Sequence, residues 1–326
     1  MRSDLIADAY ALGTGPWTMT RVARGALGQI WKLSENGNGN GDRDGSAWAV
    51  KELLFGGDEE QVRREAALRD ASELLGISAP RLLPNREGAY VSRLGGSHVK
   101  LYDWVEGTEA DPSDPALLSW CGETLAILHR AGQGTTEAPN DWYERCPPES
   151  DWTRLREEVR QAGMPWSDEL GRFLDTRMPE LARHVTRSGP DAVVMSHLDM
   201  QPQNVLVGPA GPTLVDWDNA GPIAADRELA HAVYFWAGKN DFSPASARRL
   251  MRAYRDAGGP AVIRGIDSFS MLFATDLNFV HVQAECAIDQ NVTAEQREFA
   301  SGKVVATLAT LPDPTAISRL TEAVAL

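Results

Sequence analysis

Three polar residues lie at spacings along the chain that suit metal-assisted chemistry on a phosphate group. Asp199 and Asn204 lie five residues apart, and Asp216 follows after two short apolar runs joined by a Gly- and Pro-rich turn. A hairpin with those ends brings the Asn204 amide and the Asp216 carboxylate side by side. Such hard oxygen ligands suit Mg²⁺, which proteins usually share with phosphates. Asp199 lies outside that pair, where its carboxylate can accept a proton from an attacking hydroxyl group.

The elements before this segment predict a small, mainly antiparallel β unit with one helix. Asp58, with Gln61 three residues later, predicts a capped helix start, and Gly76 predicts its end. The Gly-, Asn- and Asp-rich segment 34–46 predicts a hairpin loop. Alternating apolar residues predict a strand at 29–33, and further strands are predicted at 18–23, 47–54, 89–94 and 99–104.

The pattern changes to helices after Gly107, and Asp114 with Pro115 marks the first start. One β island, with strands at 204–207 and 213–216, interrupts the helices, and segment 132–151 predicts a surface loop. The predicted fold is therefore α+β and two-lobed, with a β-rich lobe over 1–103 and a helical lobe over 104–326. Small-molecule sites tend to form in clefts between such lobes. Further helices are predicted near 152–162, 167–186, 226–238, 244–257, 265–288 and 294–310.

Composition excludes several classes of protein. The 326 residues include 32 Lys and Arg against 46 Asp and Glu, a net charge of −14, which argues against a nucleic-acid binder with a basic surface. Cys121, Cys146 and Cys286 form neither a disulfide framework nor a CxxC metal pair and suit a reducing compartment. No apolar run has the length of a signal peptide or a membrane span. We therefore expect a soluble, cytoplasmic protein without a membrane partner.

The segment around Asp199 resembles the catalytic loop of the aminoglycoside phosphotransferase family, within the protein-kinase-like superfamily. That family writes H-x-D-x-x-x-x-N and then D-[FW]-[DE]. Leu198 and the lack of a D-F-G glycine favour small-molecule kinases over protein kinases. The similarity covers roughly residues 20–235, including a helix ending at His129 and an acidic segment in which Glu228 replaces the usual Asp. The matching positions are His197, Asp199, Asn204, Asp216, Trp217 and Asp218.

The resemblance implies a role for each residue of this segment. Asp199 would be the catalytic base or would orient the acceptor hydroxyl, while Asn204 and Asp216 would hold Mg²⁺. His197 would be structural. Asp218 would support the loop beside the metal or supply a third metal contact.

The first lobe carries the residues that the resemblance assigns to the nucleotide. Lys51 would contact the α- and β-phosphates from a strand, paired with Glu65 on the helix. Gly25 and Gly28 stand where the nucleotide loop belongs, although the segment departs from G-x-G-x-x-G, and both could simply be turn glycines. The connector that would contact adenine contains Asp103, Trp104 and Val105.

Acceptor candidates come from one late helix. Asp276, Asn278 and Glu285 are the candidate substrate residues, since the family uses acids of this region to hold ammonium groups. Asn278, His281 and Glu285 share one helical face at i, i+3 and i+7, which could equally be solvated surface.

The resemblance implies Mg²⁺-assisted transfer of the γ-phosphoryl group of ATP or GTP to a hydroxyl of a small polar molecule. The acidic balance favours a cationic acceptor, an aminoglycoside or a basic peptide antibiotic, and hence antibiotic resistance. The alternatives are a metabolic kinase for a sugar or amino alcohol, and a nucleotide-binding pseudokinase. A protein kinase would need a longer activation segment than the nine residues between Asp218 and Glu228. We expect a monomer or a homodimer.

Overall fold

A computed structural model describes residues 2–25, 28–35, 47–54, 56–189 and 192–325. Most of the predicted hairpin loop, residues 36–46, lies outside these ranges. The chain divides into two compact units, the first formed by Met1–Ala110 with Gln203–Ala220 and the second by Asp111–Pro202 with Gly221–Leu326.

The first unit is built on a six-stranded sheet whose path runs β1-β2-β3-β6-β4, with β5 also paired to β6. All its pairings are antiparallel, in agreement with the mainly antiparallel β unit that the sequence predicts. A short helix, α1 (Ser3–Ala9), had no sequence prediction and buries Ile6 against Leu33, Val50 and Leu101. The strands are β1 (Trp17–Arg24), β2 (Gly28–Glu35), β3 (Ala47–Leu53), β4 (Leu82–Leu83), β5 (Ser92–Leu94) and β6 (Ser97–Asp103).

The register between β3 and β6 places Lys51 directly opposite Lys100. Directly opposed residues of neighbouring strands project their side chains to the same face of the sheet. Both side chains are buried, with exposures of 8% and 2%. Two lysines at this spacing need carboxylate partners, because an unpaired buried charge is costly.

The helix α2 (Glu59–Leu74) covers this unit and begins where the sequence predicts. The Asp58 carboxylate accepts hydrogen bonds from the backbone N–H groups of Glu60 and Gln61. The predicted capping box does not form, because the Gln61 Oε1 that would accept the Asp58 N–H accepts from Arg64 instead, while the Gln61 amide donates to the Ala220 carbonyl. Gly76 follows the helix with a φ of +86°, which a glycine adopts without strain.

A second, three-stranded sheet completes the first unit, with the order β10-β9-β7. Its strands are β7 (Thr108–Glu109), β9 (Val205–Gly208) and β10 (Gly211–Leu214). Because β7 pairs with β9, the hairpin clusters with the first 110 residues, whereas we expected residues 104–326 to form one lobe. The second hairpin strand ends at Leu214, two residues earlier than predicted.

The second unit is helical, with one unpredicted two-stranded sheet of β8 (Val193–Ser196) and β11 (Gly221–Ala224). Helix α3 (Pro115–Ala131) starts at the predicted Asp114 cap. A Cβ on Gly122 would come within 2.4 Å of the Leu250 carbonyl, so glycine permits close packing of α3 on α9. The other helices are α4 (Asp141–Glu144), α5 (Glu149–Gln161), α6 (Ser167–Thr176), α7 (Met178–Ala182), α8 (Ala225–Ala237), α9 (Pro244–Asp256), α10 (Ser270–Ile288), α11 (Ala294–Thr310) and α12 (Pro314–Val324).

One helix prediction and one loop prediction need correction. Segment 167–186 forms two helices, α6 and α7, because Pro179 lacks an N–H group and is tolerated only in a first turn. The predicted loop 132–151 contains α4, which Asn140 caps through the Trp142 N–H. The α+β fold class is confirmed. In the part of the chain that the structure describes, every helix is too short or too polar to cross a membrane.

Candidate active site

Lys51 lies at the centre of a charged cluster in the first unit. Its ammonium group is 2.6 Å from Asp216 Oδ1 and 2.5 Å from Asp218 Oδ2. Burial alone would lower the pKa of Lys51, but the two carboxylates outweigh it and hold the pKa above its ordinary value. Lys51 therefore stays charged at neutral pH and remains available to an anionic ligand.

The predicted pair between Lys51 and Glu65 is wrong. The Lys100 ammonium lies 2.7 Å from Glu65 Oε2 and 2.5 Å from Asp218 Oδ1. The Tyr102 hydroxyl donates to Glu65 Oε1 at 2.6 Å. Glu65 thus binds the lysine of β6 rather than that of β3, because the β3–β6 register brings a second ammonium group to the same face.

Lys100 and Tyr102 are site residues that sequence reasoning missed. They alternate with the apolar Val99 and Leu101, which lie in the core on the other face of β6. This alternation is the signal that could have marked them as facing a polar cluster. Burial first, then nearby carboxylates, holds the pKa of Tyr102 well above its ordinary value, so its hydroxyl stays a hydrogen-bond donor.

The predicted metal ligands lie at one end of the β9–β10 hairpin. The Val215 N–H donates to the Asn204 carbonyl, so Asn204 and Asp216 flank the same end. Asp216 adopts a φ of +63°, rare for a residue with a side chain, and this side chain is 41% exposed. In the described residues no group of three or more His, Cys, Asp and Glu forms a metal cluster.

The charges of the cluster fit a bound divalent cation. Of the three acids that face the two ammonium groups, Glu65, Asp216 and Asp218, Asp216 is the most exposed, so its carboxylate is open to a cation. An amide oxygen and a carboxylate are hard ligands that suit Mg²⁺ when phosphate oxygens and water complete its shell. Asn204 and Asp216 thus suit a metal that arrives with a nucleotide.

Gly28 lies directly against Lys51. A Cβ at this position would come within 3.3 Å of the Lys51 Cε and 2.9 Å of the Glu52 carbonyl. The Gly25 N–H donates to the Gly28 carbonyl, and the two residues between them lie outside the described ranges. The lysine can thus extend past Gly28 because glycine has no side chain.

In the second unit the segment after β8 carries Asp199. His197 and Leu198 are fully or almost fully buried, and Leu198 has a φ of +67°. The Asp199 N–H donates to His197 Nδ1 at 3.2 Å, and the Gln201 side-chain amide donates to the Asp199 carboxylate. The half-buried Asp199 carboxylate is therefore oriented by its own loop.

A buried network anchors this loop to three elements of the second unit. The Leu198 N–H donates to Glu228 Oε1 at 2.6 Å, and Glu228 Oε2 lies 2.9 Å from His129 Nε2. His129 Nδ1 lies 2.8 Å from the Tyr254 hydroxyl, which accepts from the Ala261 N–H. Burial would raise the pKa of Glu228, but hydrogen bonds led by that of His129 outweigh it and lower the pKa.

The sequence model of the phosphotransferase enzyme family matches residues 18–266, more than half of the chain. The chain belongs to this family. The predicted membership is thus confirmed.

Relatives and solved structures of this family act on different molecules. Homoserine kinase of Beijerinckia indica subsp. indica is 27% identical over 169 residues, 52% of this chain and 51% of its own. The chain thus spans about half the length of the curated relatives it matches. A spectinomycin phosphotransferase in complex with ADP and spectinomycin shares the fold at a TM-score of 0.63 and 14% identity, covering 98% of this chain and 96% of its own.

A third similar protein, an amicoumacin kinase, was solved with AMP-PNP and Ca²⁺. It has a TM-score of 0.59 and 14% identity, and the match covers 94% of this chain and 92% of that one. The likeness to these structures shows the kinase-like fold of this phosphotransferase family member.

The predicted adenine-contacting segment of this phosphotransferase follows β6. Asp103 ends the strand, and the Trp104 indole N–H donates to Glu106 Oε1 at 2.7 Å. The Lys32 ammonium binds the same carboxylate and lies 4.4 Å from the centroid of the Trp104 ring. These contacts fix the course of the segment, including Val105, while its adenine contacts stay a prediction.

The acceptor candidates on α10 differ in how the protein uses them. The Asn278 amide donates to the carbonyls of Trp142 and Arg145 and so fixes α4. Glu285 is paired with Arg154 at 3.0 Å. In the described chain, by contrast, the half-buried Asp276 carboxylate has neither a hydrogen bond nor an ion pair, and burial raises its pKa from 3.8 to about 7.

Proposed function

We propose that this chain transfers the γ-phosphoryl group of ATP or GTP to a hydroxyl group of a small, cationic molecule. The observation that carries this proposal is the Lys51 ammonium held between two carboxylates, one of which suits a divalent metal. Phosphoryl transfer asks mainly for positioning and charge stabilisation, which such a cluster supplies.

Each residue of the proposed site has one task. Lys51 binds phosphate oxygens, and Gly28 leaves room for its side chain. Asn204 and Asp216 hold Mg²⁺, which neutralises charge on the phosphates when it is bound. Asp199 orients the acceptor hydroxyl and takes its proton, while the Gln201 amide keeps the carboxylate aligned.

Asp276 supports a cationic acceptor. A half-buried carboxylate without a partner is unfavourable in the free protein, and an ammonium group would relieve that cost. The charge of Lys239 lowers the pKa of Asp276 but does not outweigh burial. Lys239 is exposed, and its ammonium group lies over the Phe235 ring. Asp276 is thus the residue of α10 best suited to an ammonium group of the substrate.

Two acceptor classes fit this carboxylate. We favour an antibiotic of the aminoglycoside or basic peptide type and hence a role in resistance, in keeping with the spectinomycin phosphotransferase fold. The second candidate is a small amino alcohol or hydroxy amino acid, which the likeness to homoserine kinases favours. Both carry an ammonium group and a hydroxyl group, and they differ chiefly in size.

The test is phosphoryl transfer from ATP and GTP, with Mg²⁺, to a panel of acceptors. The panel contains aminoglycosides, spectinomycin, basic peptide antibiotics, homoserine, amino alcohols and neutral sugars, and the product is detected by mass. Turnover of a cationic compound supports the proposal. Tight nucleotide binding without turnover of any compound would instead indicate a pseudokinase, and turnover of neutral sugars alone would refute the cationic acceptor.

We expect Asp276→Asn to raise the KM for the cationic acceptor about 10- to 100-fold, the value of a hydrogen bond to a charged group. The same KM should rise in the wild-type protein as pH falls through about 7, since Asp276 then gains its proton. Glu285→Gln is the matched control on α10, because Glu285 already binds Arg154. Equal effects of both substitutions on KM would contradict the role of Asp276.

The Asp276→Asn substitution should weaken substrate binding but stabilise the folded protein. A raised pKa in the folded state means that the Asp276 charge destabilises the protein progressively as pH rises from about 4 to 7. Asp276→Asn should therefore increase the melting temperature at pH 8 and have little effect at pH 4. A substitution that binds substrate less well and folds more stably is typical of a functional residue.

We expect Gly28→Ala to weaken MgATP binding about tenfold, because the added methyl group displaces the Lys51 side chain. Calorimetric titration with the nucleotide measures the change. Gly302→Ala is the control, since open space surrounds that glycine. Unchanged MgATP affinity in Gly28→Ala would show that Lys51 does not need the space beside Gly28 to bind the nucleotide.

A further inference from the structure

Lys100 has no assigned role in the proposed reaction, yet it and Glu65 are the most deeply buried charged side chains of the cluster. Lys100 is 2% exposed and binds two carboxylates, Glu65 and Asp218. Keeping a buried ammonium group charged costs free energy unless nearby carboxylates balance its charge. The two short contacts, on α2 and on the segment after β10, supply that compensation.

The Asp218 carboxylate is divided between the two lysines. Its Oδ2 lies 2.5 Å from the Lys51 ammonium and its Oδ1 lies 2.5 Å from that of Lys100. Each lysine also has a second acid, Asp216 for Lys51 and Glu65 for Lys100. Glu65 on α2 therefore has a cationic partner, Lys100, and does not need Lys51 for this role.

Exposure differs between the two halves of this network. Lys100 and Glu65 are both 2% exposed, whereas the Asp216 side chain is 41% exposed. The Lys100 half is closed to solvent and held additionally by the Tyr102 hydroxyl. In the Lys51 half Lys51 is buried but its partner Asp216 is exposed, so Lys51 is the lysine that can exchange a carboxylate for a ligand at lower cost.

We propose that Lys100 is a positioning residue that binds Glu65 and one oxygen of Asp218 and thereby reserves Lys51 for the nucleotide phosphates. When Lys51 moves to a phosphate, Asp218 keeps the Lys100 ammonium as a partner. Without Lys100, two buried carboxylates would compete with the phosphates for Lys51. This inference rests on the proposed function, because it presupposes a nucleotide.

The test is the dissociation constant of MgATP, measured by calorimetry, for Lys100→Met, Glu65→Gln and the double variant. Lys100→Met should weaken binding about 10- to 100-fold, because Lys51 becomes the only cation for Glu65 and Asp218. Glu65→Gln should change binding by less than about threefold, since Lys100 then serves Asp218 alone. The double variant should recover part of the loss seen in Lys100→Met, because Asp218 alone is then left to compete with the phosphates for Lys51.

This recovery separates positioning from mere structural support. If Lys100 only stabilised the fold, removing its partner as well would leave binding as weak as in Lys100→Met, and that outcome would overturn the proposal. Arg227→Met is the stability control, because it breaks a buried ion pair with Glu144 in the second unit. It should lower the melting temperature without changing MgATP affinity.

Two further comparisons keep the test decisive. If Lys100→Met does not fold, Glu65→Gln is compared with Lys51→Met: near wild-type affinity in the former supports the proposal, and equal losses overturn it. If the wild-type protein itself does not bind MgATP, the proposed function fails first. Wild-type binding together with unchanged binding in Lys100→Met would refute the role of Lys100 alone.

Discussion

Asp199→Asn is expected to lower kcat about 10²- to 10⁴-fold while leaving MgATP affinity near the wild-type value. The substitution keeps the shape of the side chain but removes the charge that accepts the hydroxyl proton. The Gln201 amide, which donates to the carboxylate, can still donate to the remaining carbonyl oxygen, so the loop should stay in place. Rates with the best acceptor of the panel and calorimetric nucleotide titration measure the two quantities.

The matched control is Asp175→Asn, an exposed acid of α6 that pairs with Arg156. It should leave kcat and KM unchanged, because surface ion pairs contribute little. A kcat near the wild-type value in Asp199→Asn would show that another group activates the acceptor. A loss of nucleotide affinity of the same size would instead place Asp199 among the groups that hold the metal.

The sequence predicted the first unit well where the signals were local. The predicted strand segments located β1, β2, β3 and β6, with alternating residues as the signal for β2, and the Asp58 side chain caps α2 as predicted. Such signals depend on residues close in the chain, which is why they survive without knowledge of tertiary contacts. The short strands β7, β8 and β11 have no comparable local signal and are defined by their pairing partners.

The partner of Glu65 shows what a sequence cannot supply. Lys51 and Glu65 stand in the order that the resemblance requires, but the choice between Lys51 and Lys100 depends on the register of β3 against β6. A shift of one residue would turn Lys100 to the other face. Register is a long-range property, so the pairing could be read only from the structure.

The acceptor residues show a different limit. Asn278 and Glu285 have the polar side chains that a binding site needs, but α10 uses them against α4 and α5. Helical periodicity indicates which residues share a face, not what that face contacts. Asp276 stands out only through its burial, which raises its pKa.

Glu228 is expected to be the residue of the second unit whose loss harms both stability and catalysis. Its carboxylate is fully buried and accepts the N–H of Leu198, whose φ of +67° is unfavourable for a residue with a branched side chain. The bond holds that conformation and thereby sets the direction of the next residue, Asp199. Both oxygens of Glu228 are in use, one by the Leu198 N–H and one by the His129 ring, so the amide of Glu228→Gln must turn an NH2 group towards one of them. The substitution should therefore weaken the hold on Leu198 and reduce kcat about 100-fold, as a misplacement of about 1 Å does.

The same substitution should lower the free energy of unfolding by about 1.5–3 kcal/mol at neutral pH, the contribution of hydrogen bonds to a charged group. A lowered pKa in the folded state stabilises the protein above the ordinary value of 4.5, and this stabilisation is lost as pH falls below it. The difference between the wild-type protein and Glu228→Gln should thus shrink in acid. Denaturant unfolding at pH 7 and pH 4 measures it.

Glu144→Gln separates the two effects of Glu228, because Glu144 is also a buried acid of the second unit. Its carboxylate binds Ser188 and Arg227, and among the described residues it forms no hydrogen bond or ion pair with the Asp199 loop. We expect a similar loss of stability and an unchanged kcat. If Glu228→Gln reduced kcat no more than Glu144→Gln does, Glu228 would serve the fold alone, and the conformation of Leu198 would have to be held by the remaining contacts of its loop.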